Sequence, residues 1–172
     1  MKPAHDFADF SVRQKELDHY SQTFILHPKH LQSFVTTAKL DWHHIRFQKA
    51  NISQVPAEAG VYTFAVNHDG SGLPPHGYVL YVGQTGGKRN DRTLRDRARE
   101  YFREKAGGKR LHVWWFLNKW DGCVIFSFVP LNPKAINLLQ IESKLNDALM
   151  PPYSIKDFSP EIRARKKLWG MS

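Results

Sequence analysis

The hydrophobic positions of this chain fall into short β-branched or aromatic runs separated by segments with helical spacing. Two runs, Val61 to Val66 and Tyr78 to Gly83, are rich in valine, tyrosine and phenylalanine and predict two β-strands. The segment between them, residues 67 to 77, is rich in glycine and proline and predicts an irregular hairpin loop. A further apolar run from Cys123 to Leu131 predicts a third strand.

Helical spacing of apolar residues predicts three helices around these strands. The first runs from Thr93 to about Lys105, and the second runs from Leu111 to Leu117. The third lies between Pro133 and Met150, where leucines recur at intervals that place them on one face. The predicted order is therefore strand, strand, helix, helix, strand, helix.

The predicted fold is α/β, with a small three-stranded antiparallel sheet flanked by helices in the order β-β-α-α-β-α. Three strands cannot bury both faces alone, so the helices must cover the sheet. The sequence predicts three regions: an N-terminal helical extension at residues 1–55, the α/β domain at residues 56–156, and a basic C-terminal tail with a short helix at residues 157–172.

The charge of the chain indicates a polyanionic partner. The formal net charge is +9 at pH 7 over 172 residues, and the sequence pI is about 9.7. Residues 88–110 hold ten basic and four acidic residues, and so contribute +6 of that excess. Such a local concentration favours binding to a phosphate backbone over a general effect on solubility.

Cysteine content and hydropathy exclude some classes of protein. A single cysteine, Cys123, excludes an internal disulfide framework and a cysteine-based zinc site. The N-terminus has no signal-peptide pattern, and no uninterrupted apolar stretch is long enough to span a bilayer. These observations predict a cytoplasmic protein without a membrane partner.

Glu142 is a carboxylate within an apolar helical stripe. It lies four residues after Leu138 and three residues before Leu145, beside Ile141. A carboxylate rarely occupies such a position unless a cation compensates its desolvation. Two interpretations follow from the residues alone: an internal ion pair with an arginine, or a metal ligand at the edge of a buried site.

Four segments together resemble the GIY-YIG nuclease family. The tripeptides Gly60–Tyr62 and Tyr81–Gly83 resemble its two signature motifs, with valine at both variable positions. The segment Thr93–Phe102 resembles the family's first helix, and the match places the catalytic arginine at Arg97. Ile141–Leu145, followed by two prolines and a tyrosine, resembles the helix with the metal-binding glutamate, at Glu142. The likeness covers residues 56–156 in the family's order.

The resemblance implies a metal-dependent endonuclease that hydrolyses phosphodiester bonds of DNA. It implies that Tyr62 activates the attacking water with Tyr81 in support, that Arg97 braces the scissile phosphate, and that Glu142 holds Mg²⁺ or Mn²⁺. The outward basic residues would contact the DNA backbone; they are Lys88, Arg89, Arg92, Arg99, Arg103, Lys109 and Arg110.

Departures from the family pattern leave other functions open. The loop between the two tyrosines is longer than usual, Gln84 stands where some relatives have lysine, and Ser154 stands near the place of a frequent asparagine. One alternative is a module of the same fold that binds DNA or RNA without cutting it. Another is a structural basic protein in which Glu142 pairs with an internal arginine. A second copy of the chain or a separate protein would supply sequence specificity.

Overall fold

A computed structural model describes residues 15–67, 77–87, 91–154, 158–160 and 162 of the protein. Most of the predicted hairpin loop lies outside these residues, as do Lys88, Arg89 and most of the basic C-terminal tail. None of the helices in the described ranges is long and apolar enough to cross a membrane.

The described elements follow the predicted order from residue 60 onward. In chain order they are α1 (Pro28–Gln32), β1 (His43–Arg46), a 3-10 helix (Lys49–Gln54), β2 (Gly60–Val66), β3 (Tyr78–Thr85), α2 (Leu94–Gly107), α3 (Leu111–Lys119), β4 (Val124–Pro130) and α4 (Leu138–Leu149). The α/β class and the antiparallel pairing of β2 with β3 are confirmed.

The sheet has four strands, so the prediction of three strands is wrong. The strand order is β1-β4-β2-β3, and every described pairing is antiparallel. The additional strand, β1, lies within the segment that was predicted to be a helical extension. Only Ile45 of its four residues is buried, so the sequence carries almost no strand pattern. Pairing with β4, where Ile45 lies opposite Phe126, makes this segment a strand.

Each face of the sheet carries its own hydrophobic core. Neighbouring residues of a strand point to opposite faces, so Tyr62 and Val61 belong to different cores. On the first face, Tyr62 packs in one cluster with Tyr101 of α2 and Phe116 of α3. On the second face, Val61 packs in another cluster with Leu145 of α4. The sheet is therefore covered by α2 and α3 on one side and by α4 on the other.

The helix that carries Glu142 is shorter than its hydrophobic pattern predicts. It begins at Leu138 because the side chain of Asn137 accepts a hydrogen bond from the backbone N–H of Gln140, at 3.3 Å, and so caps the helix. The preceding residues form a turn, in which the side chain of Asn132 accepts from the backbone N–H of Lys134 at 3.0 Å.

The chain after α4 covers the edge of the sheet at β3. Met150 adopts a left-handed conformation with φ of 46°, which ends the helix and turns the chain. The backbone N–H of Tyr153 then donates to the carbonyl of Leu80 at 3.0 Å, and the N–H of Val82 donates to Oγ of Ser154 at 3.3 Å. Two backbone groups of the edge strand, at Leu80 and Val82, are satisfied in this way.

Candidate functional site

The two glycines of the motif tripeptides allow the backbone and a tyrosine to approach closely. Gly83 lies opposite Tyr62 in the β2–β3 pairing, and a Cβ atom at Gly83 would overlap the hydroxyl of Tyr62. A Cβ atom at Gly60 would overlap the backbone carbonyl of Val129 in the neighbouring strand. Both positions therefore require glycine for steric reasons in this fold.

Tyr62 lies in the first core and forms hydrogen bonds through its hydroxyl. It is fully buried, its hydroxyl lies 2.9 Å from the hydroxyl of Tyr101, and it accepts a hydrogen bond from Nε of Arg97 at 3.1 Å. The ring of Tyr81 lies nearby, with 6.4 Å between the ring centroids of Tyr62 and Tyr81. The structure thus brings together three of the four predicted catalytic residues on one face of the sheet.

Arg97 is held in place by groups on its own helix. Its Nη1 lies 2.7 Å from Oε2 of Glu100, and its guanidinium carbon lies 5.1 Å from the ring centroid of Tyr101. Glu100 also pairs with Nε of Arg92 at 3.2 Å. The Arg97 side chain is 18% exposed, so it is partly accessible to solvent.

A neighbouring arginine of the same helix has a different environment. Nε of Arg95 donates to the carbonyl of Val55 at 2.7 Å, which ties α2 to the end of the 3-10 helix. Hydrophobic spacing alone does not distinguish Arg95 from Arg97 as the functional arginine. The tertiary structure gives Arg97, and not Arg95, the hydrogen bond to Tyr62.

The pKa of Tyr62 is raised well above its ordinary value. Burial is the main cause, and the neighbouring Tyr101 and Tyr81 raise the pKa further, whereas the positive charge of Arg97 lowers it by a smaller amount. The phenol is therefore neutral at physiological pH. In this arrangement, Tyr62 can take part in hydrogen bonds but is a poor proton acceptor.

Arg97 keeps its positive charge in this environment. Burial acts against the charge, but Tyr62, Tyr101 and the hydrogen bonds to Tyr62 and Glu100 outweigh it, so the pKa of Arg97 is raised. A partly exposed, permanently charged guanidinium is suited to bind a phosphate or carboxylate group through two parallel hydrogen bonds.

Glu142 lies on α4, on the other side of the sheet from the core that contains Tyr62. Its side chain is partly exposed, at the margin of the buried stripe formed by Leu138, Ile141 and Leu145. The helix packs mainly against β3, the edge strand that also carries Tyr81. The predicted metal ligand and the tyrosine–arginine cluster therefore approach the same strand from opposite faces.

Two buried amide oxygens, one on α4 and one on β3, are of the ligand type that a hard cation takes. Asn146 is fully buried, and its Nδ2 donates to the backbone carbonyl of Glu142 at 3.0 Å. Among the described residues, its Oδ1 has no hydrogen-bond partner, and neither has Oε1 of Gln84 on β3. Magnesium takes oxygen ligands and tolerates one carboxylate with several waters. Within the described ranges, no three histidine, cysteine, aspartate or glutamate residues form a metal-binding group.

The predicted backbone-binding residues differ in exposure. Arg92, Arg99, Arg103 and Lys109 are exposed, whereas Arg110 is only partly exposed. Arg99 pairs weakly with Asp96, at 3.7 Å. Arg99 and Arg103 lie on α2, Arg92 lies just before it, and Lys109 and Arg110 lie just before α3.

Sequence reasoning missed Glu100 and Asn146 as residues of the candidate site. Glu100 was counted only as one of four acids within the basic segment, although its position three residues after Arg97 predicts contact on a helix. Asn146 follows Glu142 by four residues and lies on the same side of α4. The helical spacing of these two pairs was the available signal.

Comparison with models of known protein families, with curated proteins and with solved structures gave no match to this chain. The likeness to the GIY-YIG nucleases therefore rests on the residues and motifs named above.

Proposed function

We propose that the protein is a Mg²⁺-dependent endonuclease that hydrolyses phosphodiester bonds of DNA. The observation that carries this proposal is the hydrogen bond from Arg97 to Tyr62, made at the end of the sheet where the two glycine-containing tripeptides pair. The cluster combines a fixed cation, two hydrogen-bonded phenols and partial access to solvent, and it belongs to a chain with a net charge of +9.

Arg97 would bind the scissile phosphate and stabilise the negative charge that builds up on its oxygens. Tyr62 and Glu100 fix two sides of the guanidinium, so its remaining N–H groups have a defined direction before substrate binds. A charged donor that is already oriented stabilises developing charge without a further reorganisation cost.

Tyr62 and Tyr81 would have different roles. Tyr62 is fully enclosed and has a raised pKa, so it would act on Arg97 rather than on the attacking water. Tyr81 lies on the edge strand and is 9% exposed, which makes it the better placed of the two phenols to orient a water molecule. This division differs from the one implied by the family resemblance, in which Tyr62 activates the water.

Glu142 would hold the metal ion, with Asn146 and Gln84 supplying amide oxygens or holding its water ligands. A bound Mg²⁺ supplies Lewis-acid stabilisation of the phosphate and of the leaving oxygen. The backbone of DNA would then pass the C-terminal end of β3, beyond the part of its edge that Tyr153 and Ser154 cover, between Glu142 on one side and Arg97 on the other.

Digestion of supercoiled plasmid tests this proposal. We expect nicked or linear products with Mg²⁺, none with EDTA, and a loss of at least about 100-fold in rate for Arg97→Ala and Glu142→Gln. Glu58→Gln is the matched control for the lost carboxylate, because Glu58 is an exposed residue of the turn before β2. Full activity of Glu142→Gln would remove Glu142 from the site, and no cutting by the wild type with Mg²⁺ or Mn²⁺ would end the proposal.

A second candidate function is a nucleic-acid-binding module without cleavage activity. The burial of Tyr62 and its raised pKa favour this alternative, because they make Tyr62 a poor general base. Tyr81 is also largely buried, so neither of these two phenols is fully open to solvent. This function predicts salt-dependent binding of DNA or RNA by the wild type, without products under any divalent metal. Binding without cutting, unaffected by Glu142→Gln, would support it over the nuclease.

A further inference from the structure

Arg110 shares a buried tyrosine ring with Arg97. The guanidinium carbon of Arg110 lies 4.9 Å from the ring centroid of Tyr101, and that of Arg97 lies 5.1 Å from the same centroid. Tyr101 itself is fully buried and hydrogen-bonded to Tyr62. Arg97 is on α2 and Arg110 is the N-cap residue of α3, so α2 and the start of α3 must pack together to bring them to this ring.

A glutamate of α2 holds Arg110 in this position. Nε of Arg110 lies 3.3 Å from Oε1 of Glu104, and the backbone N–H of Arg110 donates to Oε2 of the same carboxylate at 3.1 Å. Burial raises the pKa of Glu104, but the backbone hydrogen bond and the charge of Arg110 outweigh this, so the pKa lies below its ordinary value. The carboxylate is ionised and fixes both the start of α3 and the side chain of Arg110.

The two arginine–glutamate pairs repeat along one side of α2. Glu100 and Glu104 are four residues apart, and the guanidinium groups that they hold both pack against the ring of Tyr101. The Arg110 side chain is 28% exposed and that of Arg97 is 18% exposed, so both side chains are partly accessible to solvent. In the described ranges, the terminal nitrogens of Arg110 have no hydrogen-bond partner.

We propose that Arg110 is a second phosphate ligand of the candidate site and acts with Arg97 as one unit on the same stretch of DNA backbone. This inference rests on the proposed function and deepens it, because Arg110 moves from the outer basic track into the site itself. Both guanidinium groups pack on one ring and each is held by a glutamate, so two charged donors lie close to the same side chain. Such donors suit the oxygens of a phosphodiester backbone.

The exposed arginines of α2 provide the contrast. The Arg99 side chain is 60% exposed and its contact with Asp96 is long, so its position is not fixed by the fold. It would contact phosphates outside the site as an independent charge. Arg97 and Arg110 should therefore be energetically coupled in DNA binding, whereas Arg97 and Arg99 should not.

A double-mutant cycle on DNA affinity tests the coupling. Affinity of a fluorescein-labelled duplex is measured in EDTA for wild type, Arg97→Gln, Arg110→Gln and the double variant, with Arg97→Gln/Arg99→Gln as the matched pair. We expect Arg97→Gln and Arg110→Gln each to lower DNA affinity about tenfold, and the double variant to lower it little more than either single variant. In the Arg97→Gln/Arg99→Gln variant, the loss of DNA affinity should equal the product of the losses in the two single variants.

Two further measurements separate substrate binding from a structural effect. The slope of log affinity against log salt should fall by about 0.9 in the Arg97/Arg110 double variant and by about twice that in the matched pair. Coupling should be present in DNA affinity and absent from the melting temperature. Coupling of equal size in both would assign Arg110 a structural role, and if Arg110→Gln does not fold, Arg110→Lys takes its place in the cycle.

Cleavage by the wild type decides which proposal fails. Multiplicative losses for Arg97 and Arg110, with plasmid cleavage in Mg²⁺ intact, would overturn only the role of Arg110. At saturating protein, Arg110→Gln should also cut more slowly, whereas Lys39→Gln, at an exposed residue outside the proposed DNA-binding set, should cut at the wild-type rate. A wild type that neither binds nor cuts DNA would overturn the proposed function and this inference together.

Discussion

Nε of Arg97 donates a hydrogen bond to the hydroxyl of Tyr62 at 3.1 Å, and this bond joins two residues that are 35 positions apart. It connects the solvent side of α2 to the buried core of the sheet. An arginine that would otherwise be one of several charges on a helix is thereby oriented, and its pKa is raised. The following predictions test this arrangement and the fold that supports it.

Replacement of Tyr62 by phenylalanine should destabilise the protein without changing its fold. The ring remains, but Nε of Arg97 and the hydroxyl of Tyr101 lose their shared partner in a buried place. We expect the free energy of unfolding, measured with urea, to fall by about 1–3 kcal/mol. Tyr20→Phe is the matched control, because Tyr20 is 54% exposed and its loss of a hydroxyl should change little. An unchanged stability of Tyr62→Phe would show that the bond contributes nothing net.

Because of Tyr62, the protein should become less stable at alkaline pH. The folded-state pKa of Tyr62 is raised above its ordinary value of 10.0, so the folded state binds the phenolic proton more tightly than the unfolded state. Its contribution is complete below pH 10 and is lost as the pH rises toward the folded-state pKa. Melting temperatures measured from pH 8 to 11 should fall less steeply for Tyr62→Phe than for wild type. Burial also raises the pKa of Tyr153 to about 12, so Tyr153→Phe should remove a further part of the slope.

Replacement of Gly83 by alanine should displace Tyr62 from its position. The added methyl group would overlap the tyrosine hydroxyl, and the strand pairing leaves little room for adjustment. We expect a loss of about 1–3 kcal/mol in urea unfolding, together with a loss of DNA cleavage. Gly107→Ala is the control, since nothing lies within 4 Å of a Cβ atom at this helical position. It should leave stability unchanged or raise it by up to about 1 kcal/mol.

The N-terminal cap of α2 should contribute a pH-dependent part of the stability. The side chain of Thr93 accepts a hydrogen bond from the N–H of Asp96 at 3.1 Å, and the carboxylate of Asp96 accepts bonds from the hydroxyl and N–H of Thr93. These bonds lower the pKa of Asp96 from 3.8, so its contribution is present above that value and is lost as the pH falls through the lower folded-state pKa. Thr93→Ala should cost about 1 kcal/mol at pH 7.

Melting temperatures of wild type and Thr93→Ala, followed from pH 7 to pH 2, measure this dependence. The difference between the two proteins should shrink below pH 4, because the carboxylate that receives the bonds becomes protonated. A difference that stays constant across this range would mean that Asp96 takes no part in the cap.

The local pattern of the chain was enough to predict most of the strands and helices. Alternation and β-branched content gave β2, β3 and β4 to within two residues at each end, because these strands are buried and their side chains must suit a sheet. Apolar spacing predicted α2 and α3 because each of these helices buries one apolar face. The four residues of β1 carry one buried side chain, so only the tertiary pairing with β4 makes them a strand.

For the candidate site, the sequence supplied the residue types, and the tertiary structure decided which of them meet. The resemblance to the GIY-YIG nucleases named Tyr62, Tyr81, Arg97 and Glu142, and their functional roles remain predictions. Folding encloses Tyr62, selects Arg97 over Arg95 as its partner, and places Glu142 on the helix of the opposite face. Periodicity specifies only which face of an element is apolar. Which face of the sheet a helix covers, and which charges then become neighbours, depends on long-range packing that no local pattern contains.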